Sequence, residues 1–258
     1  MDERSPARAV CPAARTADGI AHRRQRGQGG EFDLDGAEAG DFADNAGMSA
    51  DVFDDHGLPQ LPGRDPQDLL EQTLATRPEG DLWVFGYGSL IWRPEVSHDE
   101  VRSARVWGWR RTLRMWSRIN RGTEQSPGLV FALMAGGSCR GIALRVPQRL
   151  AERELRLLWK REMPRAVYDP RWLACHTPQG VVRALAFTLA PRSPSYTGEL
   201  DDARLIDILR TCRGRYGTTF DYVARTAQAL RELGIRDAEV ERIMRLARLH
   251  RIDGPAGA

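Results

Sequence analysis

Two stretches of this chain carry the residue types that chemistry would need. The first is Val84-Phe85-Gly86-Tyr87-Gly88-Ser89-Leu90-Ile91-Trp92. Glycines on both sides of Tyr87 let the backbone turn sharply and expose N–H groups, which a Cβ would often prevent. Consecutive exposed amides form a nest for an anion such as a carboxylate. The spacing alone also fits an ordinary turn at the exit of a strand. No Lys-Ser/Thr follows, so the stretch is not a phosphate-binding P-loop. It also lacks the third glycine and the helix of a dinucleotide fingerprint.

The second feature is Glu162. Ala151, Leu155, Leu158 and Trp159 recur at helical spacing and form one apolar stripe. Glu152, Arg153, Glu154, Arg156, Lys160 and Arg161 fall mainly off that stripe, whereas at about 100° per residue Glu162 returns to its middle. A carboxylate facing a core is costly unless it is paired or used. Burial also raises its pKa, which suits a general base working near neutral pH. A frayed helix end before Pro164, or an ion pair with Arg165, fits the same pattern.

Other candidates carry less. Cys175 and His176 are neighbours on a strand-like run, so their side chains point to opposite faces and do not form a dyad. His98 and His250 sit among charged residues and read as solvated. Trp107, Trp109 and Trp116 alternate with Arg110, Arg111, Arg114 and Arg118. Such interleaving can bind single-stranded nucleic acid, but a sheet core backed by a solvated face accounts for it more simply.

These features need a fold to position them. The chain has 258 residues, 41% hydrophobic and 28% charged, with a formal net charge of +3. That charge is too mild to argue for nucleic acid. No run approaches the ~20 apolar residues of a membrane-spanning helix. Residues 1–65 carry 7 basic and 13 acidic side chains, against 31 and 22 in the remainder. They are poor in aliphatic residues and read as a disordered leader, with Met48 as an alternative start. Cys11, Cys139, Cys175 and Cys212 show no C-x-x-C pair and complete no zinc site, so a reducing compartment, the cytoplasm, is expected.

Order is expected from Asp65-Pro66, an N-cap followed by proline at the first helical position. After a short helix through Leu74, strand-like runs cover Leu82–Phe85, Val106–Trp116, Leu129–Met134, Gly141–Val146, Trp172–Cys175 and Val181–Leu189. Helical patterns cover Arg149–Met163, Asp201–Arg213, Thr219–Leu233 and Asp237–His250. Strands first and helices last indicate an α+β domain over residues 66–258 rather than an alternating α/β sheet.

The glycine stretch, with Gly141-Ile142-Ala143-Leu144-Arg145-Val146-Pro147 and Leu158-Trp159-Lys160-Arg161-Glu162-Met163, resembles the ChaC family of glutathione-specific gamma-glutamylcyclotransferases. Arg121-Gly122, Pro127-Gly128, Tyr196 and Asp221-Tyr222 agree with it, and the resemblance runs from about Leu82 to His250. It implies a gamma-glutamylcyclotransferase-like α+β fold, a small mixed β-barrel flanked by helices. It further implies cleavage of glutathione to 5-oxoproline and cysteinylglycine, with no metal or organic cofactor and neither nucleic acid nor membrane as partner. Carried over by position, Glu162 is the acid–base residue. Val84, Phe85, Gly86, Tyr87, Gly88 and Ser89 hold the gamma-glutamyl group, and Tyr222 lines the pocket.

Two departures bear on specificity. The chain reads Met163-Pro164-Arg165-Ala166-Val167 after Glu162, and Thr219 stands where relatives favour asparagine. These positions are expected to shape the pocket beyond the γ-carbonyl. The alternatives to glutathione cleavage are a cyclotransferase for other gamma-glutamyl amino acids or amines, and an inactive module that binds gamma-glutamyl compounds.

Overall fold

The structure, a computed structural model, describes residues 63–252. The leader expected over residues 1–65 lies almost wholly outside the described residues. The first helix, α1 (Pro66–Ala75), begins where the sequence signal put it. The Asp65 carboxylate accepts from the Gln67 and Asp68 amides at 2.6 and 3.3 Å, satisfying donors that the helix start leaves open.

Five strands close into a barrel: β1 (Leu82–Gly86), β2 (Glu100–Ser117), β3 (Gly128–Val146), β4 (Asp169–Thr177) and β5 (Gly180–Thr188). Their order around the wall is β1-β3-β2-β4-β5, and parallel pairing of β1 with β5 closes the ring. Helix α2 (Ala151–Glu162) precedes β4. After β5 come α3 (Asp202–Thr211), a small hairpin of β6 (Arg213–Gly214) and β7 (Gly217–Thr218), then α4 (Thr219–Glu232) and α5 (Ala238–Leu249). The mixed, barrel-centred α+β architecture agrees with the sequence reading.

The separate runs expected at 129–134 and 141–146 are one strand. β2 and β3 pair continuously from Glu100↔Arg145 to Ser117↔Gly128, with irregularities between Trp107 and Trp109 and between Thr112 and Met115. Residues 135–138 are exposed, so the apolar alternation lapses there, and Gly136 and Gly137 fall at the register shift opposite Gly108, yet β3 runs on through them. Bulges of this kind bend and twist long strands, as barrel closure requires. They also re-aim side chains, and the expectation of a tryptophan core with a solvated arginine face fails in part. Trp107 is 58% exposed, while Arg111 is 3% exposed.

Each face of the wall buries its own apolar cluster. Phe85, Val106, Leu129 and Phe131 pack with residues of α3, α4 and α5, whereas Val84, Leu144 and Leu185 pack with Leu155, Leu158 and Trp159 of α2. Successive side chains of β1 therefore enter opposite clusters, the period-two alternation of a strand. β1 sits very close to β3: a Cβ at Gly141 would lie 2.2 Å from the Gly86 carbonyl oxygen. Gly141→Ala must push β1 outward at the residue that starts the glycine loop. We expect it to lower unfolding free energy in urea titration by about 1–3 kcal/mol, the usual cost of overpacking.

Candidate active site

The loop leaving β1 brings together most of the expected residues. Beyond Gly86 come Tyr87 and Gly88, then a single 3-10 turn over Ser89–Ile91. Neither Gly86 nor Gly88 adopts a positive φ. The glycine at 88 is required by close approach instead, since a Cβ there would lie 2.7 Å from the Tyr222 hydroxyl. The loop carbonyls of Gly88 and Ser89 accept from Ile91, Trp92 and Arg93 within the turn. The amides of Gly88 and Ser89 donate to no carbonyl of the described residues, which leaves two adjacent N–H groups for an anion.

Val84 and Phe85 do not reach this place with their side chains. Both are fully buried in the two apolar clusters, so their contribution is the backbone that aims the loop. Tyr87 is also turned inward. Its hydroxyl donates to the Phe187 carbonyl at 2.8 Å, and burial pushes its pKa well above the usual phenol value. Its own carbonyl accepts from Arg111 Nε at 2.6 Å. Arg111 also donates to the Arg140 carbonyl at 2.7 Å and pairs with Asp237, the N-cap of α5. A buried guanidinium thus fixes the loop to the barrel and to the last helix.

Glu162 is the last residue of α2. Acidic Glu152 and Glu154 open the helix and basic Lys160 and Arg161 close it, matching the helix dipole. Pro164 disfavours helical backbone at Met163, and the helix stops. The Glu162 side chain is 16% exposed, and its pKa is raised, first by burial and further by Glu95, with Arg161 opposing. Its ion pair is with Arg161, Nε to Oε1 at 3.1 Å.

Arg161 is a residue that the sequence reading left off the apolar stripe as ordinary helix surface. Its Nη2 donates to the Ser89 hydroxyl at 3.1 Å, and its Nη1 to the Arg93 and Pro94 carbonyls at 2.7 and 3.1 Å. Nη1 also lies 2.9 Å from Glu95 Oε2. One guanidinium therefore joins the carboxylate of α2 to the serine of the glycine loop. Glu154 is another exception to the stripe: it is buried and accepts from the Ser97 amide at 3.0 Å, which ties α2 to the chain leading into β2.

Tyr222 enters from the start of α4, where Thr218 and Asp221 form a reciprocal capping box. Its hydroxyl accepts from the Phe131 amide at 3.2 Å, its ring lies 5.5 Å from that of Phe131, and burial pushes its pKa up to about 12. The phenol stays protonated, with its oxygen close against Gly88. Tyr168 was missed by sequence reasoning. It is buried beside Phe187, and its phenol feels Glu162 and Tyr222 electrostatically. No motif marks it, only its place six residues after Glu162. Thr219 is fully buried and accepts from the Leu129 amide at 2.9 Å, so this side chain joins α4 to β3. Among the described residues, no group of three or more His, Cys, Asp or Glu could hold a metal ion, and no helix is long and apolar enough to cross a membrane.

The arrangement is a buried carboxylate of raised pKa, linked through one arginine to a loop with free amides, and a protonated phenol beside that loop. Comparison with known proteins identifies the family. The family model for ChaC-like protein matches residues 82–250. The chain is 38% identical over 170 residues to the glutathione-specific gamma-glutamylcyclotransferase of Escherichia coli, covering 65% of this chain and 74% of that protein. It is 30% identical over 166 residues to human glutathione-specific gamma-glutamylcyclotransferase 1, covering 61% and 75%. In fold it resembles the crystal structure of a glutathione-specific gamma-glutamyl cyclotransferase from yeast, with a TM-score of 0.61 at 17% identity, over 67% of this chain and 97% of that one. With the family model spanning the barrel, the glycine loop and Glu162, the chain belongs to the ChaC family.

Proposed function

We propose that this protein is a gamma-glutamylcyclotransferase that cleaves glutathione to 5-oxoproline and cysteinylglycine, with Glu162 as the acid–base residue. The observation that carries this reading is the link from Glu162 through Arg161 to Ser89, which sets a base of raised pKa beside the anion-binding loop. In the reaction the substrate's α-amine attacks its own γ-carbonyl carbon. A C–N bond forms in a five-membered ring, and the γ-amide C–N bond breaks.

Both reacting groups belong to one molecule, so holding it folded supplies much of the rate. Effective molarities for such reactions reach ~10⁵–10⁸ M. The α-ammonium, with an ordinary pKa near ~8, must lose a proton before attack. Glu162 takes a proton from the attacking nitrogen and returns one to the departing cysteinyl nitrogen, so no net proton is exchanged. The amides of Gly88 and Ser89 hold the α-carboxylate, and the Tyr222 hydroxyl faces the oxygen on which negative charge develops. Tyr87, Val84 and Phe85 act by fixing the loop.

The supporting similarity to glutathione-specific relatives favours glutathione over other gamma-glutamyl donors. Cys139, Cys175 and Cys212 are free and buried, which suits a reducing compartment, and we place the protein in the cytoplasm.

Two experiments test the assignment of the base. Glu162→Gln keeps the shape and removes the proton acceptor. We expect 5-oxoproline release to fall by about 10²–10⁴-fold, the usual contribution of general acid–base catalysis. Because burial raises the folded-state pKa of Glu162, ionising it at neutral pH costs stability. The stability that comes from keeping Glu162 protonated is fully present below the ordinary carboxylate pKa and is lost as pH rises through the raised value. The melting temperature of Glu162→Gln at pH 7 should therefore equal or exceed that of the parent. Separately, kcat/KM should rise with pH through a midpoint above the ordinary glutamate value. In Arg161→Met that midpoint should move to higher pH, since a charge favouring the carboxylate is gone. A midpoint unmoved or lowered would take Arg161 out of this role.

A further inference from the structure

The loop between β2 and β3 holds a second buried arginine, against the ring of Tyr222. Arg121 is 5% exposed. Its guanidinium lies over the Tyr222 ring, 5.4 Å from the centroid, and its Nη1 donates to the Tyr216 carbonyl. No carboxylate of the described residues lies within 4.0 Å of it. Asp221 is close enough to be felt electrostatically, but its Oδ2 is engaged by the Thr218 amide at 2.7 Å in the capping box. The other charged groups facing Arg121 are Arg225 and Arg93, both repulsive. Arg225 lies over the Trp92 ring at 5.6 Å and Arg93 over Tyr216 at 5.1 Å.

A buried guanidinium without a carboxylate partner and with like charges for neighbours is unfavourable unless something else uses it. Its placement is also tightly specified. A Cβ on Gly128 would meet the Arg121 carbonyl oxygen at 2.1 Å, and one on Gly214 would meet the Arg121 amide nitrogen at 2.5 Å. The Arg121 amide donates to the Ser117 hydroxyl at 3.0 Å. Backbone-to-backbone packing of this kind fixes a side chain in advance, which is what a recognition site needs.

We propose that Arg121, backed by Arg93 and Arg225, binds the terminal carboxylate of the substrate and so makes the enzyme selective for gamma-glutamyl peptides that carry one. The inference rests on the cyclotransferase reading for the placement of the gamma-glutamyl group at Gly88 and Ser89. From there the departing cysteinylglycine arm, about 7 Å long when extended, runs past Tyr222 and brings the glycyl carboxylate to Arg121. Guanidinium and carboxylate match as planar partners for paired hydrogen bonds. Gamma-glutamyl amines and amides lack this group, and their exclusion follows.

The test compares glutathione with its C-terminal glycinamide, which differs only in the terminal carboxylate. For the parent enzyme, kcat/KM should favour glutathione by about 10- to 100-fold, mainly through KM. Arg121→Gln should bring this ratio close to one, and Arg121→Lys should restore part of it. Arg225→Glu, on an exposed residue, should lower the ratio without relying on the fold of an Arg121 variant. Equal kcat/KM for the two compounds in the parent would overturn the proposal while leaving the cyclotransferase reading intact. So would a ratio unaffected by Arg121→Gln or, where that variant does not fold, by Arg225→Glu. If neither compound yields 5-oxoproline, the cyclotransferase reading is what fails. Calorimetric binding of the two compounds to the parent then gives the same ratio if Arg121 reads the carboxylate, and equal affinities if it does not.

Discussion

Keeping a carboxylate mostly out of water while leaving it able to ionise requires a compensating charge of limited strength. Glu162 meets both sides of that constraint. Burial disfavours its ionised form, and so does its position at the C-terminal end of α2, where the helix dipole is negative. Arg161 opposes both from 3.1 Å. Its attraction is divided with Glu95 and with two backbone carbonyls, so it does not fully reverse the effect of burial. The outcome is a carboxylate whose pKa is raised yet whose anion is still tolerated, the condition the proposed acid–base role requires.

The glycine loop depends on the same economy of buried cations. Arg111 grips it before Gly88, through the Tyr87 carbonyl, and Arg161 grips it after, through the Ser89 hydroxyl. Each guanidinium extends to a distant element: Arg111 to Asp237 at the start of α5, and Arg161 to the Arg93–Glu95 stretch that follows the loop. The barrel supplies the third restraint, because β1 pairs with both β3 and β5 and cannot shift without opening the ring. Donors held in place by these restraints suit an intramolecular cyclisation, because part of its barrier is removed by holding the substrate in the folded conformer from which attack occurs.

Much of this was legible in the sequence, for identifiable reasons. Glu162 announced itself by returning to the apolar stripe of its own helix, and the capping signal at Asp65-Pro66 gave the start of α1 to the residue. The glycines were noticed for backbone freedom, and the structure adds a second reason. Gly88 is needed because the Tyr222 hydroxyl crowds it, a contact between residues far apart in the chain that no local pattern encodes. Arg111 was read as part of a solvated face, and Arg161 and Glu154 as lying off the apolar stripe, because strand and helical periodicity sort residues by face. Periodicity cannot say that a bulge in β2, or a neighbouring loop, will cover a nominally outer position. Tyr168 lacks even a periodic signal, and its place beside Phe187 and near Glu162 emerges only in the folded chain.

The central claim is that the bond to the γ-carbonyl is broken by the substrate's own amine and not by water. Incubating the purified protein with glutathione in H₂¹⁸O and analysing the products by mass spectrometry tests this directly. The account predicts 5-oxoproline and cysteinylglycine in equal amounts, with no solvent oxygen in the 5-oxoproline and no glutamate released. Glutamate carrying ¹⁸O in its side-chain carboxylate would contradict it, because that label can enter only when water attacks the γ-carbonyl.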